Sequence, residues 1–151
     1  MIIDKEEIKN TVFKWLVLAK KDLIENYDRL GLRASGKYEK DLSIVENENG
    51  YGLESAKHWG AMEYGRAKTI EKGDVSLLSI ITEWVKVKGI TPTHGTLEQM
   101  IKNITWKIHH HGIRVPNIHN KGKVVWGVLT DERINRLVER LKKEIVNGLN
   151  K

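Results

Sequence analysis

Four histidines, His109-His110-His111 and His119, have the widest chemical repertoire in this chain, and metal-assisted hydrolysis is the chemistry their clustering would serve. The spacing argues against it. Successive helical residues point about 100° apart, so at most one or two of the three adjacent rings can reach one ion. The i, i+4 histidine pair of a zinc helix is missing, and carboxylates are scarce nearby. The three histidines read better as a polar helix end beside a negative dipole. Glu54, Glu63 and His58 offer a second, acid–base grouping, but such a pair needs a cleft and a difference in pKa that sequence does not display. Phosphate-binding glycine loops, nucleophile elbows and zinc-protease helices are absent. With no cysteine, disulfides, thiolate metal sites and cysteine nucleophiles are excluded too. The expectation is a protein that is not an enzyme, with no catalytic residue, cofactor or metal.

Binding has better support. The formal charge of +6 is unevenly placed: residues 1–75 carry 13 basic and 14 acidic side chains, residues 76–151 carry 13 and 6. Between Trp84 and Leu129, seven Lys/Arg (Lys86, Lys88, Lys102, Lys107, Arg114, Lys121 and Lys123) face one acid, Glu98, and five of the six histidines lie in the same stretch. A field of one sign suits an acidic protein surface or nucleic acid, and it also suits a plain solvated face. One arrangement would use it on DNA. Two helices, Val75–Lys88 and Thr96–His111, followed by a strand pair around Arg114–Trp126 imitate a winged helix-turn-helix, with Lys102 and Lys107 facing phosphate. The long helix connection and the scattered tryptophans speak against it.

The elements that must position these residues are legible. A length of 151 residues with 40% hydrophobic content suits one domain over 1–151. No run of about 18 apolar residues is present, and the acidic start is unlike a secretory signal, so no membrane role is expected. Ile8, Val12, Leu16, Ala19, Leu23, Tyr27 and Leu30 predict one long amphipathic helix over Lys5–Leu30, stopped at Gly31. Asn49-Gly50 predicts a hairpin between strands near Tyr38–Glu46 and Tyr51–Lys57. A short helix over His58–Tyr64, with Trp59, Met62 and Tyr64 inward, turns at Gly65 into the basic loop Arg66–Gly73. Three longer helices follow: one ends at Gly89, one is boxed by Thr96 and Gln99 and stops at Gly112, and one is capped by Thr130. Val124-Val125-Trp126 reads as a further strand. The expected class is α+β: a long N-terminal helix and a small antiparallel sheet with a β-hairpin, on which three further helices pack.

The order of these segments, with His58-Trp59-Gly60-Ala61-Met62-Glu63-Tyr64-Gly65-Arg66-Ala67, Ile81–Ile90, Lys107–Ile113 and a terminal Leu129-Thr130-Asp131-Glu132-Arg133-Ile134 helix, resembles the neck and tail-completion (head–tail connector) proteins of tailed bacteriophages. The likeness spans most of the chain. It implies a structural virion protein, made in the host cytoplasm and built into a homo-oligomeric ring with other neck, portal-side and tail proteins around the DNA channel. Non-specific DNA contact is part of that expectation. The chain departs from the pattern where a glycine- and proline-rich loop continuation is replaced by residues 66–72. The residues expected at interfaces are Arg66, Lys68, Lys72, Arg114, Lys121 and Lys123; those expected to face nucleic acid are Lys102 and Lys107.

Overall fold

The computed structural model describes residues 4–55, 59–69 and 75–150. Helix α1 (Lys5–Arg29) begins where the Asp4 carboxylate accepts the Glu6 and Glu7 N–H groups, and it ends with Leu30 N–H donating to Asn26. Its stripe buries Leu16, Ala19, Leu23 and Tyr27, as the apolar spacing requires, and also Thr11 and Asn26. After it come a short helix α2 (Lys37–Asp41), strands β1 (Ser43–Asn47) and β2 (Gly50–Glu54), and helix α3 (Trp59–Tyr64). The two-residue strand β3 (Gly65–Arg66), helices α4 (Val75–Lys88) and α5 (Leu97–His111), strand β4 (Ile113–Arg114) and helix α6 (Asp131–Leu149) complete an α+β chain. None of the helices among the described residues is long and apolar enough to cross a membrane.

Contacts gather into two compact units. The first comprises Met1–Leu32, Tyr38–Lys57 and Lys123–Lys151. In it, β1 and β2 form an antiparallel hairpin with Ile44 opposite Leu53 and Glu46 opposite Tyr51, and Phe13 of α1 meets the Tyr51 ring at 5.2 Å. Helix α6 runs antiparallel to α1: Arg133 pairs with Asp22 at 2.7 Å near one end, and Thr11 donates to Glu144 at 3.0 Å near the other. The second unit comprises Arg33–Lys37 and His58–Gly122. Its core is Leu77, Ile81 and Val85 of α4 against Ile101 of α5, flanked by Ile90, Met100, Ile104 and Ile108. The Thr96–Gln99 capping box that starts α5 is formed in both directions.

Three local expectations are corrected. The strand expected from Tyr38 starts only at Ser43, because Tyr38 and Leu42 sit one helical turn apart, joined by a Leu42 N–H to Tyr38 carbonyl bond of 3.0 Å. Burial of Tyr38 against Tyr27, ring centroids 4.6 Å apart, holds that turn. The return strand expected over Tyr51–Lys57 spans Gly50–Glu54 and leaves Ser55 outside it, while residues 56 and 57 lie outside the described residues. Val124-Val125-Trp126 is a turn, not a strand, with the Val128 and Leu129 N–H groups both donating to Val125. The cause is Asn26: its amide donates to the carbonyls of Lys123 and Val124 at 3.0 and 2.9 Å, which takes the acceptors a strand partner would use.

Asn26 thus ties α1 to the segment that leads into α6. Asn26→Ala leaves two carbonyls without their donor around the fully buried Val124, at an expected cost of about 2–4 kcal/mol. Arg133→Ala removes a partly exposed ion pair worth under about 1 kcal/mol. Urea unfolding followed by tryptophan fluorescence should rank the two in that order.

Candidate functional site

Helix α3 ends at a place where two chain segments touch through their backbones. Strand β3 pairs antiparallel with β4, Gly65 opposite Arg114 and Arg66 opposite Ile113. Just beyond, the Thr69 N–H donates to the His109 carbonyl at 2.8 Å. Glycine is required on both sides. Gly65 (φ +88°) and Gly112 (φ +70°) adopt left-handed backbone, and a Cβ on the first would strike the Ile113 carbonyl oxygen, on the second the Arg66 carbonyl oxygen. Gly112 also ends α5, donating its N–H to Ile108 at 2.8 Å.

The loop that leaves β4 is shaped by two asparagines. Asn117 accepts the N–H groups of His119 and Asn120 on its side-chain oxygen and donates from its amide to the Arg114 carbonyl, each at 2.8 Å. Asn120 donates to the Met62 carbonyl of α3 and accepts from Gly122 N–H, again at 2.8 Å. The loop therefore folds back on α3, with Ile118 at its tip 82% exposed.

This geometry brings together Arg66, Lys68, Arg114 and Lys121, which the sequence spreads over two loops. They form one cationic corner of the second unit. Arg66 is half-buried and donates to the Thr69 hydroxyl at 3.2 Å, so it shapes the loop as well as charging it. Lys68, Arg114 and Lys121 are exposed and make no ion pair among the described residues. Lys72 lies outside the described residues. Lys123 belongs to the first unit, where its left-handed backbone (φ 57°) presents its carbonyl to Asn26.

Lys102 and Lys107 line a shallow groove of about 580 Å³ with Pro92, His94, Met100 and Ile104. Lys102 is engaged by Glu98 at 2.6 Å; that hydrogen bond, reinforced by the lysine charge, holds the Glu98 carboxyl below the usual carboxylate range. Lys107 has no such partner among the described residues. The histidines of α5 are drawn into ring contacts. His110 stacks on Trp106 at 4.2 Å, with its Nδ1 2.9 Å from the Trp106 carbonyl, and His111 meets the same indole edge-on. Among the described residues no three side chains of metal-binding type converge.

Two expectations about the corner need correction. Tyr64, expected inward, is 62% exposed, while Glu63, read as a possible acid–base group, is 8% exposed. The short α3 directs its inner face from Glu63 rather than from the aromatic next to it. Glu54 belongs to the first unit, and His58 lies outside the described residues. The strand pair of a wing is not formed over Arg114–Trp126: β4 takes β3 as its partner instead. Asn117 and Asn120 were not singled out in the sequence, although an Asn-x-x-Asn spacing closed by glycine is the composition of successive side-chain-capped turns.

Gly112→Ala should lose roughly 1–3 kcal/mol through backbone collision and forced left-handed geometry. Hydrogen exchange should report it as faster exchange at the Thr69 amide, with the Leu77–Ile101 core protected as before. Comparison with protein-family models, curated proteins and solved structures finds no match for this chain.

Proposed function

We propose that this chain is a structural component of the head–tail junction of a tailed bacteriophage, built into a homo-oligomeric ring with neck, portal-side and tail proteins. The observation that carries the reading is the apolar surface left open on its helices. Helix α6 has 19 residues and an unbroken apolar stripe, yet none of its residues is buried. Helix α1 takes one edge of that stripe, while Ile134, Val138, Val146 and Leu149 remain exposed. In the second unit, Ile80, Trp84 and Val87 of α4 form another exposed stripe at i, i+4, i+7 spacing, beside the face that packs on α5.

Open apolar faces of this extent mark protein contacts. The two faces belong to different units and are not alike. A contact between unlike faces of successive copies is head-to-tail, and when its rotation closes it generates a ring. Tryptophan at the centre of such a face is a common anchor. The resemblance of Met62–Arg66, Trp84–Ile90 and Lys107–Ile113 to neck proteins supplies the location; the faces supply a means of assembly.

Cryo-electron microscopy of purified particles tests the location, and density for this chain away from the junction, or none at all, refutes it. Trp84→Ala should weaken incorporation by about 2 kcal/mol or more, roughly 30-fold in affinity, as for other interface anchors. Particle-bound chain can be quantified by mass spectrometry, with circular dichroism of the free chain unchanged.

A further inference from the structure

The whole formal charge of this protein resides in one of its two units. The first holds 15 Lys/Arg and 15 Asp/Glu; the second holds 11 Lys/Arg and 5 Asp/Glu, which is the net +6 of the chain, and all six histidines. From Gln99 to Thr130 there is no acidic residue. Much of the first unit's charge is paired off along its surface: Lys9 with Glu46, Lys21 with Glu25, Arg133 with Asp22, Arg136 with Glu132, Arg140 with Glu144 and Lys142 with Glu139. The corner built on Gly65 and Gly112 contrasts with this. Lys68, Arg114 and Lys121 have no internal counter-ion among the described residues.

We propose that this corner binds the phosphate backbone of duplex DNA without reading its sequence. Phosphate attraction is set by the number of cations that reach the backbone, and it releases counterions on contact. Three features favour that ligand. The cations are held on a preformed frame: Arg114 on the β3–β4 ladder, Lys121 between the anchored Asn120 and Gly122, and Lys68 beside the Thr69–His109 bond. Pre-ordering lowers the entropy lost on binding. Lys68, Arg114 and Lys121 sit on a loop, a two-residue strand and a turn rather than on a helix, so none is carried by a helix that could enter a major groove and read base edges. Unpaired bases would stack on free aromatic faces, and the segments that carry the three cations, residues 67–69 and 114–122, hold no aromatic residue other than His119. An acidic protein surface is the competing partner. A protein interface is normally built on an apolar centre, and the isolated Ile118 at the loop tip does not make one.

The inference rests on charge and geometry, not on the ring, and the free full-length chain tests it. Fluorescence anisotropy with two labelled duplexes of unrelated sequence is followed across salt. The variants are a triple substitution, Lys68→Ala, Arg114→Ala and Lys121→Ala, and a control in the first unit, Lys14→Ala, Lys40→Ala and Lys143→Ala. Losing three phosphate contacts should flatten the salt slope by about 2.7, so that between about 50 and 200 mM salt the wild-type chain loses roughly 40-fold more affinity than the triple variant. The control should keep the wild-type slope, and both duplexes should bind alike. An unchanged slope in the triple variant with its circular dichroism intact overturns the proposal. So does an equal loss in the control, a tenfold preference between the duplexes, or displacement of DNA by a glutamate-rich peptide at matched charge. None of these outcomes bears on where the chain sits in a particle.

Discussion

The contact between the Gly65 and Gly112 segments governs the second unit. Two stretches that are remote in sequence approach until only hydrogen atoms fit at their Cα positions, and the backbone polar groups of each satisfy the other. From that contact follow the end of α5, the direction of the chain after α3 and the placement of Thr69 on His109. Arg66 and Arg114 lie on paired strands, Arg66 opposite Ile113 and Arg114 opposite Gly65, and Lys68 follows two residues after Arg66. Lys68 and Arg114 stay in solvent, where high dielectric and salt weaken charge repulsion.

A different economy holds in the first unit. Helix α1 is the shared wall for the hairpin on one side and α6 on the other, and its small residue Ala19 is fully buried. Polar groups join the apolar stripe: Asn26 satisfies two carbonyls, and Thr11 donates to Glu144. Such bonds contribute little beyond the water they replace, but they select one arrangement, since leaving a buried carbonyl unpaired is costly. The Lys123 backbone accepts an unfavourable left-handed geometry to meet Asn26.

Surface chemistry divides along the same line as the cores. The first unit balances its charges pairwise on helix faces, each pair contributing a few tenths of a kcal/mol, and leaves apolar side chains of α6 open. In the second unit basic residues outnumber acidic ones by 11 to 5, and an apolar stripe of α4 is also open. Burying such stripes against a partner would gain about 25 cal/mol per Å² of apolar surface. A field of one sign acts at longer range than those contacts and orients an approaching partner.

Local signals in the sequence determined the helices and the hairpin. The Asp4 cap and seven-membered stripe of α1, the Thr96–Gln99 box, the Thr130 cap and Asn49-Gly50 each act within a few residues, where side chain and backbone decide the outcome between them. The same is true of the uneven charge, which is a property of composition. Tertiary contact decided the rest. Tyr38–Leu42 became a helical turn because Tyr27 was there to bury Tyr38, and Val124–Trp126 became a turn because Asn26 took the carbonyls. Glu63 rather than Tyr64 turned inward. The gathering of Lys68, Arg114 and Lys121 into one corner was invisible in sequence for the same reason: it depends on a long-range backbone pairing whose only local trace is two glycines, and a glycine states that close approach is permitted without naming what approaches.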